Sequence, residues 1–224
     1  MIEVARQAYP DRDTLMRDLA ELVADQLRAA HAGKGHATLA VPGGTTPGPF
    51  LEALAEADLA WADVRVLPTD ERMVSELSSR SNARLIRGTL LKGRAAAAQF
   101  VDMYEPILGA RRARVAAVLP IDVLVLGMGA DMHTASLFPG APELDAALAD
   151  DAPEIVEITP PGQPEARLTL SAPVLRGAGV IHILITGADK VAALEAALKD
   201  GPVAEAPVRA VLTAPAPVTV HYAE

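Results

Sequence analysis

The chain has 224 residues, 50% of them apolar and 22% charged, so it can bury a sizeable core, and a disordered reading fails on composition. Its 20 Lys and Arg against 29 Asp and Glu leave a net charge of −9, which argues against a broad electrostatic footprint for nucleic acid or anionic lipid. The absence of cysteine removes disulfides, thiolate metal sites and cysteine nucleophiles. No run approaches the roughly 20 apolar residues of a membrane span, and the first residues, with acidic Glu3 and no apolar segment, do not read as a secretion signal. The length suits a single domain over residues 1–224. The expectation is a cytoplasmic protein, a monomer or small homo-oligomer, with no nucleic-acid or membrane partner.

Only 3% of residues are aromatic, so the core must be built from small and branched aliphatic side chains. From Asp11 to His31 the residues Leu15, Leu19, Leu22, Val23 and Leu27 recur at helical spacing behind the possible caps Asp11 and Asp13. Ala37–Val41 reads as a short buried strand that runs into Pro42-Gly43-Gly44-Thr45-Thr46-Pro47, and a helical stretch follows from Phe50 to Leu59. The alternation continues with a strand at Val64–Leu67, a helix at Asn82–Leu91, a strand at Gln99–Val101 and a helix at Pro106–Val118. Ile121–Leu126 is apolar throughout, as a strand of a parallel sheet covered on both faces must be. After Gly140 the pattern loosens through Glu154–Thr159 and Pro160-Pro161-Gly162. It resumes with a strand at Val180–Thr186, a helix at Lys190–Lys199 and a last strand at Val218–Tyr222. Repeated strand and helix predict a doubly wound, mostly parallel open α/β sheet with helices on both faces, Rossmann-like in layout. Such sheets bind ligands outside the carboxyl ends of their strands, so the loops after Val41, Leu67, Leu126 and Thr186 are where chemistry is expected.

The first of these loops, Gly43-Gly44-Thr45-Thr46, lets backbone N–H groups approach an anion ahead of a helix N-terminus. It also reads as a plain glycine corner, and it lacks the Gly-Lys-Ser/Thr ending of a nucleotide P-loop. The second, Thr69-Asp70-Glu71-Arg72, is either a solvated turn or a place where Arg72 offers a planar fork of donors to a carboxylate, a phosphate or a developing oxyanion. The third runs from Gly127 to Pro139 and carries Asp131 and His133. A dinucleotide fingerprint fails here because Met132 stands at its third glycine. A metal site would need a third ligand, and none is evident nearby. Of the five histidines, His31 and His36 flank a loop, and His182 and His221 fall in strand patterns as structural residues. His133 sits at a strand's carboxyl end, where an imidazole with an intrinsic pKa near 6.5 suits general-base work and Asp131 could orient it. Arg167 and Lys190 are either surface charges or anion contacts, and Lys190 opens a helix, where a cation opposes the dipole unless an anion is bound.

Taken together, Pro42-Gly43-Gly44-Thr45-Thr46-Pro47, Thr69-Asp70-Glu71-Arg72 with Ser81-Asn82, the block Gly127 to Gly140, Arg167-Leu168-Thr169 and Gly187-Ala188-Asp189-Lys190 resemble the 6-phosphogluconolactonases in order along nearly the whole chain. The resemblance implies the doubly wound α/β fold shared with glucosamine-6-phosphate deaminases. It also implies hydrolysis of 6-phospho-D-glucono-1,5-lactone to 6-phosphogluconate in the oxidative pentose phosphate pathway, with no obligatory cofactor or metal. On this reading Gly43, Gly44 and Thr45 with Arg167 and Lys190 grip the substrate phosphate. His133, oriented by Asp131, is the base on water, Arg72 meets the carbonyl oxygen, and Asp70 shapes Arg72 and the sugar contacts. Two positions depart from the family pattern. Pro42 replaces a serine, so it offers neither a hydroxyl nor an N–H. Met132 replaces the glycine between Asp and His, which strains the loop if that position needs positive φ. The deaminases resemble Asp-Gly-His-Ile-Ala-Phe-Asn-Glu-Pro in the same loop. Here Phe138 takes the place of that Glu, and Arg72 stands where deaminases carry Tyr. The rival expectations are a deaminase-like isomerase and a sugar-phosphate binding protein with no turnover.

Overall fold

The structure, a computed structural model, describes residues 1–104 and 107–224. In chain order the first half contains β1 (Ala5–Ala8), α1 (Arg12–Lys34), β2 (Ala37–Val41), α2 (Gly48–Ala55), β3 (Val64–Pro68), β4 (Asp70–Arg72), α3 (Asn82–Thr89), β5 (Gln99–Phe100) and α4 (Leu108–Ala116). The second half contains β6 (Val123–Gly127), α5 (Leu144–Leu148), β7 (Ile155–Ile158), β8 (Arg167–Leu170), α6 (Ala172–Arg176), β9 (Val180–Thr186), α7 (Ala188–Ala197), α8 (Arg209–Leu212) and β10 (Val218–Ala223). Seven strands form one parallel sheet in the order β1-β10-β9-β6-β2-β3-β5, as expected of the doubly wound class.

The period of two along each strand sorts its side chains between two buried layers. In β6, Val123 and Val125 face a cluster with Leu15, Leu19, Val23 and Leu27 of α1 and with Phe50, Leu51 and Leu54 of α2. Leu124 and Leu126 face the opposite cluster with Leu144 of α5, Leu175 of α6 and Leu194 of α7. Helix α1 starts where expected, its first turn capped by the Asp11 carboxylate accepting from the Thr14 amide at 2.7 Å. It ends at Gly35, whose φ of 77° suits the left-handed C-cap and lets its N–H reach the His31 carbonyl. One residue placed on the buried face is corrected: Leu22 is exposed. Met16, Ala20 and Ala24 are buried in its stead, which turns the packed face away from Leu22. The expected helix over Pro106–Val118 appears as α4, and Pro106 itself lies outside the described residues.

The part read as loose loop contains order that periodicity did not reveal. Strands β4, β8 and β7 make a separate antiparallel sheet, with Asp70 opposite Thr169, Glu71 opposite Leu168 and Arg72 opposite Arg167. Asp70–Arg72 is therefore a strand rather than a solvated turn. The segment is tied to the main sheet because the Thr69 amide donates to the Val41 carbonyl at 2.9 Å and the Leu170 amide to the Thr69 carbonyl at 3.0 Å.

His182 of β9 and His221 of β10 are structural, as the strand pattern predicts. They form a buried chain: His182 bonds the Gln26 side-chain oxygen through Nε2 at 2.8 Å and His221 through Nδ1 at 3.0 Å, and His221 bonds the Tyr9 hydroxyl at 2.9 Å. Burial lowers His182 to about 3, with help from neighbouring His221, and lowers His221 to about 4. Both folded values lie below the unfolded value near 6.5. The stability that depends on their neutrality is therefore complete above about pH 6.5 and is lost as pH falls toward 4. Urea unfolding at pH 7.5, 6 and 5 is expected to show stability falling by on the order of 1 kcal/mol per pH unit per histidine below pH 6.5. Imidazole NMR signals of these two residues that titrate near pH 6.5 in the folded protein would contradict it.

Candidate active site

A cleft of about 300 Å³ opens at the carboxyl ends of the central strands, lined by Gly43, Gly44, Thr45, Asp70, Arg72, Asn82, His133, Arg167 and Lys190 together with Gly129, Met128 and Thr186. Eight of the nine residues singled out from the sequence thus share one cavity, and Asp131 stands behind His133. Seven of the residues come from segments following β2, β3, β6 and β9, which the parallel order brings side by side.

The glycine loop leaves β2 at Val41 and enters α2 through Pro47. Gly44 has φ 93°, a conformation open to glycine at no steric cost. Among the described residues the backbone N–H groups of Gly43, Gly44, Thr45 and Thr46 find no protein acceptor, so they remain donors at a helix N-terminus. Gly43 has a second reason to be glycine: a Cβ there would lie 1.9 Å from Asn82 Oδ1.

Asn82 is the first residue that the sequence reading did not place in the site, although Ser81-Asn82 belongs to the motif. Its Oδ1 accepts from Arg72 Nη1 at 2.9 Å, and its Nδ2 donates to the Asp70 carbonyl at 2.8 Å. Buried Glu71 holds it there, accepting from the amides of Arg72, Asn82 and Ala83 at 2.6–2.8 Å and from the Ser81 hydroxyl at 3.0 Å. Burial pushes the Glu71 carboxyl up, and these donors oppose the rise. Asp70 is equally enclosed. Ser136 donates to its Oδ2 at 2.5 Å, Asn82 and Thr69 approach its Oδ1, and Arg167 Nη1 stands 3.8 Å from Oδ2.

Arg72 and Arg167 face each other across the β4–β8 pair, and like charges directly opposite are destabilising. Arg72 also donates to the Arg80 carbonyl at 2.6 Å, and Arg167 to Gln163 Oε1 at 2.6 Å. The Nε of each is buried and finds no hydrogen-bond partner among the described residues. Burial lowers the Arg167 pKa, opposed by Asp70 and reinforced by the Arg72 charge.

The loop after β6 folds back on itself. The Gly129 amide donates to the His133 carbonyl at 2.9 Å, and the Met132 amide to the Gly129 carbonyl at 3.0 Å. Met132 has φ 64°, so the departure from glycine carries the strain anticipated for it, of about 1–2 kcal/mol. Its carbonyl accepts from the Val208 amide at 3.1 Å, and its side chain packs on the core. His133 Nδ1 lies 2.5 Å from Asp131 Oδ1. A carboxylate only accepts, so Nδ1 carries a proton, and in the neutral imidazole Nε2 is then the nitrogen with the lone pair. That hydrogen bond from His133 holds the Asp131 carboxyl below the usual range. A Cβ on Gly129 would lie 2.1 Å from His133 Nδ1 and 2.2 Å from Asp131 Oδ1. Phe138 stacks on the His133 ring with centroids 4.2 Å apart. Among the described residues no three His, Asp or Glu side chains gather as a metal cage.

An open parallel α/β sheet with an anion-ready glycine loop, facing guanidinium groups and a His–Asp pair in one cleft defines an enzyme of the doubly wound α/β class. Residues 10–220 match the family of glucosamine-6-phosphate isomerases and 6-phosphogluconolactonases, and the chain belongs to that family. It is similar to the 6-phosphogluconolactonase of Pseudomonas aeruginosa, 45% identical over 227 residues covering 98% of this chain and 94% of the relative. That of Mesorhizobium japonicum is 45% identical over 226 residues, 96% of this chain and 94% of the relative. Among solved structures, a 6-phosphogluconolactonase from Shewanella baltica superposes with a TM-score of 0.97 at 33% identity, covering 100% of both chains. The 6-phosphogluconolactonase of Thermotoga maritima superposes at 0.81 with 26% identity, covering 99% of both chains.

Proposed function

We propose that the protein hydrolyses 6-phospho-D-glucono-1,5-lactone to 6-phosphogluconate, the lactone-opening step of the oxidative pentose phosphate pathway, in the cytoplasm. The observation that carries this reading is the union in one cleft of a His–Asp pair with two anion-ready regions, in a chain whose relatives bear that enzyme's name. The 6-phosphate is held by the free N–H groups of Gly43, Gly44 and Thr45, with Lys190 and Arg167 supplying charge. This puts binding energy on a part of the substrate that does not react. His133 Nε2 takes a proton from water as the water oxygen bonds to the lactone carbonyl carbon. The same nitrogen then returns the proton to the ring oxygen as the ester bond breaks.

Asp131 keeps Nδ1 protonated and so keeps Nε2 free for this work. Arg72 faces the carbonyl oxygen as negative charge develops there, and removing one such donor costs roughly 3 kcal/mol in related chemistry. Asp70 is not the base, because a carboxylate already accepting from Ser136, Asn82 and Thr69 has little capacity left for water. Its part is to hold Arg167 and the Arg72–Asn82 pair. The test follows lactone disappearance with protein and with buffer alone, chelator present throughout. Rapid loss only with protein, and little with glucono-1,5-lactone lacking the phosphate, is the expected result. Equal rates with and without protein overturn the reading.

A further inference from the structure

Phe138 is buried, stacks at 25° on the His133 ring, and lies 5.2 Å beneath the Arg167 guanidinium carbon. The imidazole centroid at 4.2 Å and the guanidinium carbon at 5.2 Å thus both rest on this one phenyl ring. The hydrogen bonds of these two groups do not by themselves fix the planes of their rings or forks. Among the described residues the His133 side chain hydrogen-bonds only to Asp131, whose side chain is 50% exposed, and a single bond at Nδ1 leaves the tilt of the ring open. Arg167 has one short side-chain hydrogen bond, to Gln163, with its Nε unpartnered and Asp70 no nearer than 3.8 Å. The rigid surface common to both is the phenyl ring, itself fixed in the core cluster with Leu137 and Leu144. Imidazole stacking and guanidinium stacking each set the plane of the group above the ring.

We infer that Phe138 is a positioning residue for lactone hydrolysis, setting the plane of both the His133 base and the Arg167 clamp that pack on its ring. The inference rests on the proposed role of His133 as the base. It predicts that loss of the ring affects turnover and substrate binding together, by separate routes, because one side chain supports two groups with different duties.

The experiment compares Phe138→Leu, which keeps apolar volume without a ring, with Phe138→Tyr, which keeps the ring. His133→Ala serves as the reference, and Leu144→Ala as a core control in the same cluster but outside the cleft. Phe138→Leu is expected to lower kcat about tenfold or more, since small misplacements of a catalytic group carry penalties of that size, and to raise KM several-fold. Phe138→Tyr restores most of both. Leu144→Ala is destabilised in urea with kcat unchanged. In the His133→Ala background, where turnover is out of play, Phe138→Leu still weakens 6-phosphogluconate binding through Arg167. If Phe138→Leu does not fold, Phe138→Met takes its place. Wild-type kcat in Phe138→Leu with His133→Ala inactive overturns this inference alone. A Phe138→Tyr variant no better than Phe138→Leu, or a Leu144→Ala that loses kcat equally, also overturns it. Full turnover in His133→Ala overturns the base assignment and this inference with it.

Discussion

His133→Ala is expected to lower kcat for 6-phosphogluconolactone by about 10²–10⁴-fold, the range contributed by a positioned general base, while affinity for 6-phosphogluconate stays within a few-fold of wild type. The separation follows from the layout. The glycine loop, Lys190 and Arg167 do not depend on the imidazole for their own hydrogen bonds, so the phosphate end is left intact. Because such lactones also open spontaneously, turnover must be measured against a buffer blank and binding by calorimetry. Unchanged kcat removes His133 from the mechanism. Lost turnover accompanied by lost binding would mean that the residue supports the cleft rather than the chemistry.

Gly129→Ala is the second large effect. The glycine does not occupy the left-handed region, so alanine is acceptable to the backbone. The added methyl instead falls within 2.2 Å of both Asp131 Oδ1 and His133 Nδ1. These are the far ends of two side chains, and they move more readily than the fold. The variant is therefore expected to melt near the wild-type temperature yet lose the His133–Asp131 bond, with kcat reduced about 10²-fold for a displacement on the scale of 1 Å and product affinity retained. A crystal structure or the imidazole Nδ1–H NMR signal checks the cause. Wild-type kcat would show that the pair tolerates the methyl or is not needed for turnover.

Much of the fold is readable along the chain because its signals are local. Strands β2 and β9 occupy the apolar runs predicted for them, and α1 is announced by Asp11 and its spaced leucines. The strain at Met132 is signalled only through the family resemblance, which places glycine between Asp and His, and the φ of 64° shows that the position does need the left-handed region. The β4–β8 pair is not legible. Three residues reading Asp-Glu-Arg carry no alternation, and their strand character comes from a partner far along the chain. Along the chain Phe138 stands out only as occupying the Glu position of the deaminases, because nothing in its neighbours reveals that His133 and Arg167 pack on its ring.

The alternation of strands and helices, the glycine corner at Gly43-Gly44, and the joint presence of Asp131 and His133 on one short loop are all readable along the chain. Each depends on interactions among residues a few positions apart, so its signal survives in one dimension. Only packing in three dimensions lets Asn82 brace Arg72, brings Ser136 to Asp70 across 66 residues of chain, and sets Arg72 and Arg167 opposite each other with buried Nε atoms that find no partner among the described residues. Those arrangements follow from strand register, which sets the two arginines opposite each other, and from burial, which leads most enclosed polar groups to find a partner. Contacts of that kind are set by the whole packed sheet and leave no periodic trace in the segments that make them.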